Sequence, residues 1–509
     1  MNNNRQIARN LIYNSLSFGL NLLIAFFFTP YLINEVGKEA YGFYPLVENI
    51  ISYTDIIVAA VGSMAGRFIT MEYYKGNKEE SISYFNTVIV AYFGLSVLFT
   101  IVGGVFVFYI SDILSVPVDL EADVRYLFVF ALLSLVVRLS TLNFGLGTYV
   151  KNRIDLQSSR KVILSITRVA AILLLFYFFK PTIVYMSLAA FIAAIVGGVF
   201  DIDFKYKLLP EFKLNFKKYV SWPKLVILVS SGIWMSFNSL GNIFTTAIDL
   251  LFSNVFVGAA ITGDFSIAKT VPTLLLSIGA MLASTFTPHF NILFAEEKKE
   301  ELLHEIKKSM IIITLLTSIP IGYLLVSSDY FLKLWVPSAY SDDLCWLSII
   351  SVIPVVFGLC TNTLFDIFTI TNKRKYPAIA LFITGIINVI LMILLLKLTS
   401  MGVFAIAIAG AVTMSLRNLI FTPLYGAACL NIKWSYFYSI LGRCLLCIIS
   451  VVFITWLFRY FMINLTWVNL LLNMTGVTCV SCTINLFIAL NKQERAYLVE
   501  IITNKINKR

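Results

Sequence analysis

Val36-Gly37-Lys38-Glu39-Ala40-Tyr41-Gly42 and Val257-Gly258-Ala259-Ala260-Ile261-Thr262-Gly263 stand 221 residues apart, and the spacing carries on beyond them. Ser63 returns as Ser284, and Lys78-Glu79-Glu80 as Lys299-Glu300-Glu301, with a long apolar stretch between the glycines and the charged run in each copy. Further along, Val116-Pro117 is echoed by Val336-Pro337, Phe144-Gly145-Leu146 by Phe357-Gly358-Leu359, and Arg160-Lys161 by Arg374-Lys375, so the offset drifts from 221 to about 213. Each short match is weak in an apolar chain, but the matches keep a common order. An internal duplication in a membrane chain points to a transporter whose substrate path runs between the two halves.

The composition puts the chain in a membrane. It is 59% hydrophobic and 13% charged, with a mean hydropathy of +0.85, where soluble domains carry roughly 25% charged residues. The net charge of +11 is scattered over short polar gaps, which excludes a nucleic-acid patch and fits positive-inside topology. All seven cysteines lie from Cys345 onward, nearly all in apolar runs, so they build no disulfide framework. Cys444/Cys447 and Cys479/Cys482 have C-x-x-C spacing without a nearby His or acid, and read as small residues facing lipid or other helices. Arg5 and Arg9 precede an apolar run that has no small-residue cleavage site before Thr29-Pro30, so that run is expected to remain as the first span.

Fourteen apolar segments are long enough to cross a bilayer: 10–33, 41–66, 82–110, 126–149, 162–179, 182–200, 225–256, 263–290, 309–327, 344–370, 377–396, 402–424, 435–458 and 466–489. Lys and Arg concentrate in alternate gaps, among them Arg67, Lys75, Lys78, Lys151, Arg153, Arg160, the loop 203–224, Lys298, Lys299, Lys373, Arg374 and the tail Lys492–Arg509. Both termini are therefore expected on the cytoplasmic side. Spans one to six and seven to twelve form two copies that start on the same side, hence parallel repeats; spans thirteen and fourteen have no counterpart. The expected fold class is an all-α polytopic membrane protein of fourteen transmembrane helices. It divides into a six-span lobe 1–215, a second six-span lobe 216–432, and two appended spans with a basic tail, 433–509.

Charges inside spans cost about 2.5–3.5 kcal/mol at the centre of a helix, so they mark cavities or partners. Arg138, Arg168, Lys269, Arg417 and Arg443 are the cations; Glu48, Asp55, Asp249 and Asp366 are the acids, with Asp264 at an edge. For each of Arg168, Arg417 and Arg443, snorkelling to an interface and lining a path are both open. Asp366 is expected to pair with Lys373 or Arg374. Glu48, Ser52 and Asp55 recur at spacings that put them on one face of span two, a polar stripe suited to a water-filled cavity; the plain alternative is a buried ion pair with Arg138. Lys269 is 221 residues after Glu48, so the repeat places the two at equivalent positions, opposed across a central cleft if both face it, with Asp249 nearby. Only two histidines occur, His289 and His304, and there is no P-loop, so neither a His metal cluster nor ATP hydrolysis by that route is indicated.

Residues 36–44, with Ala65-Gly66-Arg67-Phe68-Ile69 closing span two, resemble the polysaccharide-precursor flippases, the O-antigen, capsule and exopolysaccharide exporters of the multidrug/oligosaccharidyl-lipid/polysaccharide (MATE-like) superfamily. Asp249 and Gly263-Asp264-Phe265-Ser266-Ile267-Ala268-Lys269 are similar to the matching part of that family's second half. The resemblance covers about residues 5–430. It implies a V-shaped, two-lobed transporter that turns a polyprenyl-pyrophosphate-linked oligosaccharide from the inner to the outer leaflet by alternating access. It further implies a site in the inner (cytoplasmic) membrane with Arg138, Lys269, Arg67 and Arg168 facing the pyrophosphate, and Glu48, Asp55 and Asp249 beside them. No cofactor, metal or catalytic residue is implied. The expected partners are the lipid-linked oligosaccharide, membrane lipid and a coupling ion, H+ or Na+. The expected state is a monomer working with glycosyltransferases and a polysaccharide polymerase, without nucleic acid.

Two departures bear on neighbouring activities. Lipid II flippases, which have the same two extra spans, tend to carry arginines in the first span, and 10–33 has none. A sodium site among spans seven, eleven and twelve would be matched only in part, by Asp249 and Asn388, because span eleven has no acid. The alternatives to the flippase are a MATE-type drug or cation antiporter, which wants an acidic cavity, a lipid II flippase, and an unrelated membrane enzyme. The last would be expected to expose a sizeable outer loop or an intramembrane His.

Overall fold

The computed structural model describes residues 3–462 and 464–489, and of residues 3–8 and 11 the backbone alone; the basic tail Lys492–Arg509 and the Arg5 side chain lie outside the described residues. Every regular element among the described residues is a helix, and fourteen are long and apolar enough to span a membrane. They run Asn3–Val36, Lys38–Ser52 continued by Asp55–Tyr74, Lys78–Phe108, Glu121–Thr141 continued to Val150, Ile154–Phe178, Val184–Leu208, and Trp222–Asn242 continued to Phe256. The second set runs Ala259–Ala295, Lys299–Trp335, Asp342–Thr361 continued by Leu364–Ile370, Lys375–Leu398, Val403–Leu416 continued to Cys429, Tyr436–Arg459 and Trp467–Ala489. Most helices outrun the apolar stretch that announces them. Span nine has 37 residues, about 55 Å at 1.5 Å per residue, nearly twice the hydrocarbon thickness of ~30 Å.

The backbone repeats more faithfully than the side chains do. Gly37 (φ 84°) and Gly258 (φ 122°) break the chain before spans two and eight, and both sit at positive φ, where a Cβ would be strained. Gly76 (φ 87°) and Glu297 (φ 57°) make the same left-handed turn before spans three and nine. Each turn is closed by a matching bond, from Asn77 N–H to the Glu72 carbonyl and from Lys298 N–H to the Leu293 carbonyl, both 3.0 Å. Asn152 (φ 52°) and Asn372 (φ 54°) are 220 apart and repeat the device after spans four and ten. The offset therefore stays near 220, and the expected drift to 213 is corrected. Phe144-Gly145-Leu146 lies at the tight turn Leu142–Gly145 that interrupts span four, whereas Phe357-Gly358-Leu359 precedes the interruption of span ten at residues 362–363. Short apolar words recur by chance, while turn geometry does not.

The chain forms two compact units, 1–266 and 267–509. In the first, span seven packs along Asp55–Tyr74, where Gly232 lets the backbones approach; a Cβ there would lie 2.1 Å from the Ala60 carbonyl oxygen. The helix Lys38–Ser52 is held to the start of span eight by Lys38 Nζ–Asp264 Oδ1 at 3.0 Å. Beside that ion pair, Gly42 meets Gly263, its repeat equivalent, and a Cβ on Gly42 would fall 2.7 Å from the Gly263 Cα. The linker after span six is docked on span three. Asn86 Nδ2 donates to the Lys213 carbonyl (3.0 Å) and Ser83 Oγ to that of Tyr219 (2.7 Å), with Leu209 and Phe212 fully buried beneath.

In the second unit span nine packs against spans ten and thirteen and kinks at Ser327. Spans thirteen and fourteen are tied in by Arg459 Nη2–Asp329 Oδ2 (2.8 Å) and by Asn473 Nδ2 donating to the Phe458 carbonyl (2.7 Å). Cys444 and Cys447 are buried among the helices, while Cys479 and Cys482 are exposed on span fourteen.

Candidate functional site: two polar cavities in the first unit

Span two is interrupted where its polar stripe runs. Tyr53 and Thr54 keep right-handed helical dihedrals but bond three residues back, Tyr53 N–H to Ile50 and Thr54 N–H to Ile51, so the helix tightens without reversing. Glu48, Ser52 and Asp55 consequently stay on one face and line a common cavity of about 480 Å³ between spans two, four, five and six. Arg138, Arg160 and Arg168 face it from spans four and five. Three arginines and two carboxylates line it, a surface of mixed charge.

The pairing differs from the expected Arg138–Glu48 bridge. Arg168 Nη2 lies 3.3 Å from Glu48 Oε1 and its guanidinium lies 5.2 Å from the centre of the Tyr44 ring, while Tyr44 donates to the same carboxylate oxygen at 3.1 Å. Arg138 turns instead to Asp55, at 3.7 Å. The reason is register. Glu48 and Asp55 are two helical turns apart along span two, and Arg168 and Arg138 come from different helices that meet it at different levels. Neither pair is sealed, since the side chains keep between 36% and 51% of their exposure and remain available to a ligand. Arg168 and Ser165 also line an adjoining cavity of 240 Å³ that carries Tyr41, Tyr44 and Phe28.

The sequence reading missed Arg160 and Asp201 as a site pair. Arg160 Nη2 binds Asp201 Oδ2 at 2.6 Å, and Arg160 Nε donates to the Gly197 carbonyl at 3.2 Å. The available signal was the charge of Asp201 one residue past the expected end of span six; the helix itself runs on to Leu208. Two glycines frame the pair, for a Cβ at Gly145 would lie 2.6 Å from Asp201 Oδ1 and one at Gly197 2.9 Å from Arg160 Nη2. Arg160, Asp201 and Leu142 also line a second cavity, of about 530 Å³, at the end of the unit where span two finishes and span five begins; Arg67 faces this one and not the first.

The remaining expected site residues stand elsewhere. Asp249 is buried in span seven, just past a wide π-helical turn at Ile243–Ala247, and lies close enough to Tyr53 to act on its hydroxyl. Lys269 belongs to the second unit, where its carbonyl accepts a bond from the Thr273 hydroxyl at 2.7 Å. Asp366 makes no ion pair with Lys373 or Arg374 among the described residues. Its neighbour is the Thr287 hydroxyl, and Lys373 Nζ reaches the Cys429 carbonyl at 3.4 Å instead. Arg417 sits in a second π-helical turn with its guanidinium 5.2 Å from the Phe365 ring centre. Among the described residues no group of three or more His, Cys, Asp or Glu side chains is placed to hold a metal.

Comparison with known proteins agrees with this architecture. The chain is similar to the lipid II flippase MurJ in an inward closed conformation, with a TM-score of 0.67 at 15% identity over 94% of this chain and 98% of that one. It is also similar to an outward-facing multidrug resistance MATE family transporter of the MOP superfamily, with a TM-score of 0.61 at 13% identity over 84% and 95%. At such identities the likeness is one of fold. In sequence it is 30% identical over 416 residues, 82% of each chain, to the uncharacterized membrane protein EpsK of Bacillus subtilis (strain 168). Residues 7–294, which span both cavities, match the polysaccharide biosynthesis protein family. This multi-pass membrane chain, on a fold shared with MurJ and MATE transporters, belongs to the polysaccharide biosynthesis protein family.

Proposed function

We propose that the chain is a flippase that turns a polyprenyl-diphosphate-linked oligosaccharide from the inner to the outer leaflet of the cytoplasmic membrane by alternating access, for assembly of a cell-surface polysaccharide. The observation that carries this reading is the 480 Å³ cavity in which Arg138 and Arg168 stand half-exposed, each balanced by one carboxylate. A diphosphate is a dense anion with many acceptor oxygens, and forked guanidinium donors in a partly dehydrated site match it. The balancing acids serve the empty carrier, since an unpaired cation in the membrane is costly to hold between loads. Aromatic faces at Tyr41, Tyr44 and Phe28 adjoin Arg168 and suit the apolar faces of sugar rings. Both termini face the cytoplasm. The substrate's bonds stay intact, so no catalytic residue is assigned. Movement is driven by an H+ or Na+ gradient, by membrane potential or by the substrate's own gradient.

A lining of mixed rather than acidic charge disfavours cationic drugs, and the arginines come from spans four and five rather than from span one. Both points favour this reading over a drug antiporter and over a lipid II carrier. The test is deletion of the gene followed by analysis of lipid-linked glycans. One specific oligosaccharide should accumulate on the inner leaflet while its surface polymer is lost. New drug sensitivity without accumulation would assign the antiporter, and build-up of lipid II would assign that carrier; either result refutes the proposal.

A further inference from the structure

The second cavity holds a set of donors that the protein itself leaves unused. Asn143 is 3% exposed, and its side-chain amide Nδ2 finds no hydrogen-bond acceptor. The buried Ser63 hydroxyl is likewise unpaired. Arg67 faces the same 530 Å³ space from an exposed position, without an ion pair among the described residues. Buried donors without acceptors cost roughly 1–3 kcal/mol each and are rare unless a ligand completes them. Here the Arg67 guanidinium faces a space whose wall includes Asn143 and Ser63, their amide N–H and hydroxyl closed off just beneath it, and whose lining carboxylate, Asp201, is engaged by Arg160. That pattern suits an anion with several acceptor oxygens. Arg160 and Leu142 line both cavities, so the ion pair Arg160–Asp201 stands as the partition between them.

We propose that this second cavity is a separate diphosphate site, in which Arg67 holds the headgroup of the lipid-linked substrate, and the Asn143 amide and Ser63 hydroxyl turn to it from the wall, before it passes Arg160 to Arg138 and Arg168. The inference rests on the flippase reading for the identity of the anion, and on the geometry of the second cavity for the site. Substrate at the near end is gripped by Arg67, and Arg160, reachable from both sides, bridges the transfer. The charge of the diphosphate is then met by a guanidinium at each stage, which avoids moving an uncompensated anion through a low-dielectric interior.

The test is equilibrium binding of radiolabelled farnesyl diphosphate to the purified full chain in detergent, with farnesyl monophosphate, farnesol, inorganic pyrophosphate and phosphatidylglycerol as competitors. Wild type should bind two equivalents. Arg67→Gln and Asn143→Leu should each lose one with at least about a tenfold drop in its affinity, Arg67→Lys should keep it, and Arg138→Gln should lose the other. Thermal unfolding of each variant checks that the fold is retained. A single equivalent indifferent to Arg67 and Asn143 overturns the second site but leaves the first-cavity reading standing. Two equivalents of which none responds to Arg138 keep the second site and remove the first. Equal competition by phosphatidylglycerol overturns the assignment in favour of an ordinary lipid headgroup, and equal competition by inorganic pyrophosphate overturns it in favour of a free anion.

Discussion

Replacing Arg168 with alanine separates two roles that this side chain can play. Its guanidinium is 3.3 Å from Glu48 and still 36% exposed, with Glu48 at 51%, so the pair is an open one. Loss of Arg168 leaves the Glu48 carboxylate with the Tyr44 hydroxyl but without its cation, so thermal unfolding of each variant is measured beside transport to separate that cost from lost binding. A guanidinium–phosphate hydrogen bond in a site that excludes much of the water is worth ~1.5–3 kcal/mol, so transport at subsaturating substrate should fall about 10- to 150-fold. The assay is flipping of a labelled lipid-linked oligosaccharide in proteoliposomes, for Arg168→Ala, Glu48→Ala and the double variant. If Arg168 grips the diphosphate, the double variant stays as slow as Arg168→Ala. Recovery in the double variant would show that Arg168 only neutralises Glu48, and would refute the binding assignment.

Other expectations follow from the same geometry. Arg138→Ala and Lys269→Ala should impair polymer export at normal expression while Lys269→Arg keeps part of it; full export in both alanine variants would remove them from the site. Asp201→Asn strands the largely buried Arg160 (18% exposed) and should cost ~3–5 kcal/mol, read as a much larger fall in unfolding temperature than Asp55→Asn produces. Gly42→Ala should be destabilising, because overpacking against Gly263 backbone costs ~1–3 kcal/mol, more than the ~1 kcal/mol of helix propensity gained. Gly94→Ala, in open space, should be neutral or stabilising, and equal signs for the two would argue against the close approach. In the linker, burial works against ionisation of Glu211. Its own backbone N–H, the Tyr73 hydroxyl (2.9 Å) and the Lys151 and Lys78 charges together hold its carboxyl below the ordinary glutamate value. A lowered pKa means stability present at neutral pH and lost as pH falls through it. The unfolding-temperature gap between wild type and Glu211→Gln should therefore close in acid, and a gap that widens there would contradict the clamp.

The polar stripe of span two was readable because helical spacing alone puts Glu48, Ser52 and Asp55 on one face, and the tightened turn at 53–54 does not undo that phase. Asp201 escaped because hydropathy falls two turns before the helix ends, so a charge that belongs to a membrane helix looks like a loop charge. Asn143 escaped for a different reason. A lone amide near the end of an apolar run carries no pattern, and only burial without a partner makes it informative.

The sequence by itself determined the class of protein, the fourteen spans and the duplication, because the bilayer demands long apolar helices and glycines return at equivalent places before spans two and eight. Which cation meets which carboxylate was decided only by the tertiary structure. Arg138 and Arg168 both stand in apolar runs, and Arg160 in a polar one. They acquire different partners, Asp55, Asp201 and Glu48, because ion pairing falls off within a few ångströms and depends on the height at which each helix crosses its neighbour.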